Sequence, residues 1–452
     1  MLIWNVQYQQ KQLQVIQCKN CSGVQNQEEY MKLVLKNIGK VQNATVEING
    51  ITVIAGENDT GKSTVGKALF SVFNSFYNID KKLASEREGS IYNQLQSMLR
   101  ESLLDEYFYI NPSELAKEVI TFNEKKETGD ELKKEIFDAI AAYDNRIPEA
   151  ISKDAIEATA DRIIKILLIP DDEILKSILQ KNLDVEFCGQ IGNVFCEDES
   201  SIQLGIRNES TEVVISKDRV MDVIKPIRLG TEAIYIDDPF VLDELSGGSG
   251  RMWIGVPRYP DHRTHLKTCL KVASRNLNVV DEIVTNEKFD QIYEKISKVC
   301  EGDVVRDKRT SVGYRVGEYR LDVKNMSTGL KTFAILKSLL TNNYIEANGT
   351  IILDEPEIHL HPEWQLLFAE LIVLLHREFG LHILLNTHSP YFLNAIEVYS
   401  AKYQVSEKCK YYLTENVDKV SQIKDVTDCV EKIYSKLARP LQELENERYH
   451  YE

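Results

Sequence analysis

The sequence predicts an α/β fold whose strands deliver polar residues to one common edge. Three observations carry that prediction. Ile51 to Ala55 is a short β-branched apolar run ended by Gly56, and a helical pattern begins at Lys62. Thr350 to Leu353 is a second buried-strand pattern, and it ends in Asp354-Glu355-Pro356. Leu381 to Leu385 is a third, followed by Asn386-Thr387-His388-Ser389-Pro390. Open α/β sheets bind ligands at the carboxyl ends of their strands.

The segment Gly56-Glu57-Asn58-Asp59-Thr60-Gly61-Lys62-Ser63-Thr64 has the glycine and lysine spacing of a phosphate-binding loop. Behind it Val65, Ala68, Leu69, Val72, Phe73 and Phe76 recur at helical spacing, which supplies the strand–loop–helix context that the motif requires. Gly56 and Gly61 let the backbone curl so that successive N–H groups face a phosphate, and the helix N-terminus adds partial positive charge. Lys62 is expected to reach the β- and γ-phosphates and the Ser63 hydroxyl to ligate Mg²⁺, with ATP and Mg²⁺ as the cofactors.

Asp354 is the expected Mg²⁺ partner, acting through water. Glu355, expected on the other side of the strand, can polarise an attacking water. An acidic pair after a strand also reads as a solvated turn; the phosphate loop upstream selects the catalytic reading. Pro362 fits a first helical position and Gly380 a position just past the end, bracketing a helix from Glu363 to Phe379. His388 follows the third strand and can reach a γ-phosphate, because adjacent strands end on the same edge. His359 and His361 have no evident third ligand, and Cys18-Lys19-Asn20-Cys21 has no second CxxC pair, so a structural zinc is not expected.

Met326-Ser327-Thr328-Gly329-Leu330-Lys331 opens a further helix with apolar Leu330, Phe333, Ala334, Leu336, Leu339 and Leu340. A serine N-cap with small neighbours leaves N–H groups for an anion, and an ordinary helix cap reads the same locally.

With these motifs in this order, the chain resembles the ATP-binding-cassette class of P-loop ATPases, in the soluble branch that holds the SMC, RecF and Rad50 proteins. The resemblance implies an α/β core with a mixed central sheet flanked by helices. It also implies that Ser327, Thr328, Gly329 and Lys331 act in trans on ATP held by a second subunit. Leu245-Ser246-Gly247-Gly248-Ser249 looks like a transporter signature, but it lies far upstream of Asp354 with no helical pattern behind it, and is expected to be a glycine loop. The segments Ser327 to Lys331, Asp354 to Pro362 and Thr387 to Pro390 are similar to the overcoming-lysogenization-defect group, which includes ATPase subunits of Septu, retron-linked and related bacterial phage-defence systems. That likeness covers roughly residues 31 to 75 and 305 to 415. It implies a homodimer or larger homo-oligomer whose ATP cycle controls a separate nuclease or other effector subunit. Cassette ATPases also carry a metal-contacting glutamine after a middle strand. Here that strand, Ala233 to Ile236, ends in Asp237-Asp238-Pro239, so either aspartate substitutes or both are turn residues.

The chain divides into an extension (1–30), a first core segment (31–75), a mostly helical insertion with a small β element (76–230), a second core segment (231–425) and a charged C-terminal helix (426–452). Met31 looks like a natural family start. Helical patterns broken by Pro148 and Pro170 exclude a long coiled coil from the insertion. Hydrophobic content of 43% and charged content of 27% are ordinary for a globular protein. No apolar run approaches the ~20 residues that span a bilayer, and no signal pattern opens the chain, so a cytoplasmic protein with reduced thiols and no membrane contact is expected.

A net charge of −16 argues against a broad nucleic-acid-coating surface. A nucleic-acid ligand stays open, because Arg251, Arg258, Arg263, Lys267, Lys271 and Arg275 form a basic stretch interleaved with aromatic residues. The alternatives to an effector-controlling ATPase are a RecF/SMC-like DNA-repair or DNA-maintenance ATPase, and a transporter subunit. A self-sufficient nuclease is disfavoured, since no DxD triplet follows His388.

Overall fold

A computed structural model of the chain describes residues 31–102, 112–124, 129–143, 151–196, 198–245, 258–271, 291–306 and 312–451. The N-terminal extension and the Ser246 to Ser249 part of the second signature candidate lie outside the described residues.

The chain opens with strands β1 (Met31–Ile38), β2 (Val41–Glu47) and β3 (Ile51–Ala55), then helix α1 (Lys62–Phe76). Helices α2 (Ile79–Ser102), α3 (Ser113–Glu124), α4 (Gly129–Tyr143), α5 (Lys153–Leu167) and α6 (Asp171–Phe187) follow. Strands β4 (Ser200–Ile206), β5 (Glu209–Ser216), β6 (Arg219–Ile224) and β7 (Ala233–Ile236) lead to helices α7 (Val241–Leu245) and α8 (His262–Lys271). The small strands β8 (Asp303–Arg306), β9 (Val312–Val316) and β10 (Tyr319–Asp322) precede α9 (Thr328–Thr341). The last part comprises β11 (Thr350–Asp354), α10 (Pro362–Phe379), β12 (His382–Thr387), α11 (Pro390–Lys402), β13 (Cys409–Val417), β14 (Val420–Asp425), α12 (Glu431–Leu437) and α13 (Arg439–Tyr451).

One mixed sheet of eleven strands, in the order β6-β5-β4-β1-β2-β14-β13-β3-β12-β11-β7, organises the fold, with β10-β9-β8 as a separate antiparallel sheet. β3, β12, β11 and β7 are parallel neighbours, with Ala55 beside Thr387 and Asp354 beside Asn386. Their carboxyl ends therefore share one edge. Both faces of these strands are covered, as continuous apolar runs in parallel strands require. Ile54, Ile352 and Leu384 pack with Val65 and Leu69 of α1 on one face. Val53, Leu353 and Leu385 pack with Phe333 of α9, Phe368 of α10 and Phe392 of α11 on the other. Pro362 opens α10, and Gly380 closes it in a left-handed conformation (φ 66°), as the sequence predicts.

The small β element of the insertion is not a separate unit. β4 pairs with β1 in antiparallel register (Leu35 opposite Ile202), so β4, β5 and β6 extend the central sheet itself. The helical part of the insertion has its own core, built from Leu95, Leu115, Ile136, Ile140, Ile156 and Ile163. The C-terminal segment also differs from expectation. It is two helices, α12 and α13, rather than one, and Ile433 of α12 is fully buried against the main core. Among the described residues no helix is long and apolar enough to cross a membrane.

Candidate active site

The loop between β3 and α1 is shaped by its own side chains. Gly61, the N-cap of α1, adopts φ 80°, a left-handed conformation that a Cβ disfavours. Thr60 donates its hydroxyl to the Glu57 carbonyl at 2.7 Å. At the tip, Asp59 is gripped by Lys40 Nζ, 2.6 Å from both its carbonyl and its carboxylate. Sequence inspection passes over Lys40, which sits in the β1–β2 turn. Glu57, Asn58, Asp59 and Ser63 are exposed, whereas Lys62 is buried. The Lys62 ammonium donates to the carbonyls of Gly56 (3.0 Å) and Glu57 (2.8 Å).

Three distant segments meet through the Glu355 carboxylate. Glu355 Oε1 lies 3.4 Å from Lys62 Nζ, and His388 Nδ1 lies 3.3 Å from the same oxygen. The His388 contact has ion-pair distance without hydrogen-bond alignment. Glu355 is not simply the next residue of a pleated strand. β11 ends at Asp354, and Glu355 takes φ 48°, turning its carboxylate toward the phosphate loop. A glutamate in that conformation is uncommon and marks a position held by its surroundings. Its N–H donates to the Asn386 carbonyl at 2.9 Å, which fixes the turn.

Asp354 is buried, and each of its oxygens accepts one neutral donor. Tyr235 Oη donates to Oδ2 at 2.8 Å and Asn386 Nδ2 to Oδ1 at 3.0 Å. The Asp354 carboxylate and the exposed Ser63 hydroxyl are both hard oxygen donors, and among the described residues Asp354 forms no ion pair. The residues therefore fit Mg²⁺. Asp237 and Asp238 do not join this set. Arg263 takes both, through Nε to Asp237 at 2.9 Å and Nη2 to Asp238 at 2.8 Å, so neither stands in for the glutamine.

Besides Lys40, sequence reasoning missed Glu357 and Tyr235. Glu357 is buried behind His388 and accepts the Thr387 hydroxyl. Burial raises its pKa, partly offset by that hydrogen bond. No local pattern distinguishes a buried glutamate from an exposed one in a proline-containing loop.

The candidate signature lies at the start of α9. Ser327 caps the helix through its side chain, accepting the Leu330 N–H at 3.4 Å, and is exposed. Gly329 is buried, and a Cβ there would come within 3.0 Å of the His359 carbonyl and 3.1 Å of the Trp364 ring. Lys331 departs from expectation. It is 2% exposed, pairs with Asp243 at 2.7 Å and lies over the Phe240 ring, so it holds α7 against α9 and offers no charge to a second subunit.

The described part of the basic stretch is likewise wired internally. Arg258 pairs with Glu86, Arg263 with the two aspartates and Lys267 with Glu244.

A phosphate loop after β3 and an acidic pair after the parallel β11, with a histidine after the β12 strand between them, give this α/β fold the layout of a P-loop nucleotide site. Residues 291–394 match the family described as "AAA domain, putative AbiEii toxin, Type IV TA system". Among solved structures, the SMC head domain from Thermotoga maritima is similar at 13% identity, covering 88% of this chain and 98% of that one, with a TM-score of 0.37. The SMC head with an extended coiled coil bound to the C-terminal domain of ScpA, derived from Pyrococcus furiosus, gives 13%, 93%, 100% and 0.37. The ADP conformation of MJ1267, an ATP-binding cassette of an ABC transporter, gives 11%, 85%, 87% and 0.31.

Proposed function

We propose that this chain hydrolyses ATP, that two copies close around the nucleotide, and that closure controls a partner effector, a nuclease, in bacterial anti-phage defence. The observation that carries the hydrolytic part is the contact of Glu355 Oε1 with both Lys62 (3.4 Å) and His388 (3.3 Å), from three segments far apart in the chain. In this reading Lys62 binds the phosphates, Glu355 polarises the attacking water, and His388 contacts the γ-phosphate. Bound Mg²⁺ would neutralise phosphate charge, held by Ser63 and, through water, by Asp354. The exposed Ser327 cap, with its helix-terminal N–H groups, supports a trans contact to the partner's γ-phosphate. Hydrolysis would remove that bridge and reopen the pair.

The defence assignment rests on the likeness of the Ser327, Asp354 and Thr387 segments to the overcoming-lysogenization-defect group. The test is Glu355→Gln. Turnover should fall about 100-fold or more, the range for loss of a general base, while ATP still binds. A pull-down of that variant from its native host should then capture a nuclease. Wild-type turnover in the variant would remove Glu355 from the chemistry. Capture of repair factors, with DNA-stimulated hydrolysis by the protein alone, would favour the DNA-maintenance alternative.

A further inference from the structure

Behind the exposed reaction edge lies a buried assembly that the hydrolytic reading does not use. Tyr235, in the middle strand β7, is 1% exposed, and its hydroxyl donates to Asp354 Oδ2. Its ring stacks on the imidazole of His262, centroids 4.4 Å apart and planes 25° apart. His262 is in turn held between two carboxylates from different parts of the fold. Nδ1 lies 2.8 Å from Glu186 Oε2 on α6, and Nε2 lies 3.1 Å from Asp237 Oδ2 just past β7, at ion-pair distance without hydrogen-bond alignment. The His262 N–H also donates to Glu186 Oε1, at 2.5 Å. Burial alone would lower the pKa of His262, but the two carboxylates outweigh it and push it up to about 9, so the ring is an imidazolium at neutral pH. A cation over a tyrosine face is a favourable contact, and here it is withdrawn from solvent.

Helix α1 is shaped to this arrangement. A Cβ at Gly66 would lie 3.0 Å from the Tyr235 hydroxyl, so an alanine would crowd the donor. Glycine inside a helix costs about 1 kcal/mol relative to alanine. Its presence one turn past the phosphate loop is explained by the space that the hydroxyl needs. Phe70, one turn further, closes the edge of the stack with ring contacts to Tyr235 and His262, both at 6.2 Å.

We propose that Tyr235 is a positioning residue for the Asp354 carboxylate, and that the Glu186–His262–Asp237 clamp ties its setting to helix α6. This rests on the ATPase reading above. The chemistry is specific. Two neutral donors orient Asp354 while leaving its negative charge intact, whereas an ammonium or guanidinium in the same place would compete with a divalent cation. The Tyr235 proton stays on oxygen, because burial and the neighbouring Asp354 raise its pKa well above the ordinary value. Asp237, which occupies the place of the expected metal-contacting glutamine, is spent on the clamp instead. The strand end that would otherwise read the metal is thus linked through His262 to α6, a helix packed directly on α1.

The test uses the full chain and its Mg²⁺ dependence, which a merely structural role would not move. Tyr235→Phe keeps the ring and the stack and removes only the donated hydrogen bond. Its half-saturating Mg²⁺ concentration, for hydrolysis and for binding of a fluorescent ATP analogue, should rise about 10-fold, the weight of one hydrogen bond to a charged group. Binding of the same analogue in EDTA should match the wild type. Glu186→Gln should shift Mg²⁺ dependence in the same direction by about 3-fold, since it loosens the clamp without touching Asp354. Thermal unfolding of both variants confirms the fold, and Glu186→Gln carries the test should Tyr235→Phe fail to fold. An unchanged Mg²⁺ midpoint in the folded variants overturns the proposal. A wild-type chain that binds the analogue with Mg²⁺ but does not hydrolyse ATP would instead overturn the ATPase reading, with the binding midpoint still deciding the role of Tyr235.

Discussion

The reaction edge and the face behind it are built on opposite plans. At the edge, Lys62 at the start of α1 and Glu355 and His388 just past strand ends meet through the Glu355 carboxylate. Behind it, Tyr235, His262 and Glu186 are buried, and each contacts a residue far away in sequence. At this edge the Glu355 and His388 side chains keep part of their surface exposed. The buried group spends its charge on itself, with Glu186 and Asp237 facing the His262 imidazole. The difference separates groups that act from groups that hold. Only the first kind leaves a compact trace in the sequence.

The largest effect should come from breaking the edge. Lys62→Ala should weaken ATP binding about 100-fold, near the ~3 kcal/mol expected when a charge-assisted contact is lost. Isothermal titration with a non-hydrolysable ATP analogue measures it. Unchanged affinity would move the phosphate site away from the loop.

A second experiment addresses the buried face through pH. The folded pKa of His262, raised to about 9, lies above its ordinary value of 6.5. Its charge therefore adds stability that is fully present below about pH 6.5 and is lost as pH rises through 9. Urea unfolding at pH 7 and at pH 9.5 should differ by about 2 kcal/mol in the wild type. The same comparison in His262→Gln should show little of it. Equal losses in both proteins would mean that other groups titrate.

His388→Ala should have the smallest effect at the edge. The side chain is 41% exposed and not aligned for a hydrogen bond to Glu355, so turnover should fall about 10-fold with ATP affinity nearly unchanged. A loss as large as that of Glu355→Gln would place His388 in the proton transfer itself.

The legible part of this molecule follows the same division. β3, α1, β11, α10 and β12 fall within two residues of the ranges that apolar runs, Pro362 and Gly380 predict. Those signals are local, and the phosphate loop and acidic pair sit inside them. The pairing of β4 with β1 was not legible, because Leu35 and Ile202 are brought together only by the folded sheet. The burial of Lys331 was not legible for the same reason, because its partner Asp243 stands 88 residues upstream. Tyr235 meets Asp354 across 119 residues, so nothing near either residue announces the contact. Glu355 was found by its motif, but its left-handed backbone was not, since that conformation is imposed by Asn386 of the neighbouring strand.

The central claim is that the edge is an ATP site completed by the exposed Ser327 cap of a second copy. Light scattering of Glu355→Gln in ATP and Mg²⁺ tests it most directly. The mass should be twice that in ADP, and adding Ser327→Arg should return it to the ADP value. An equal mass in ATP and ADP, with ATP demonstrably bound, would contradict the account.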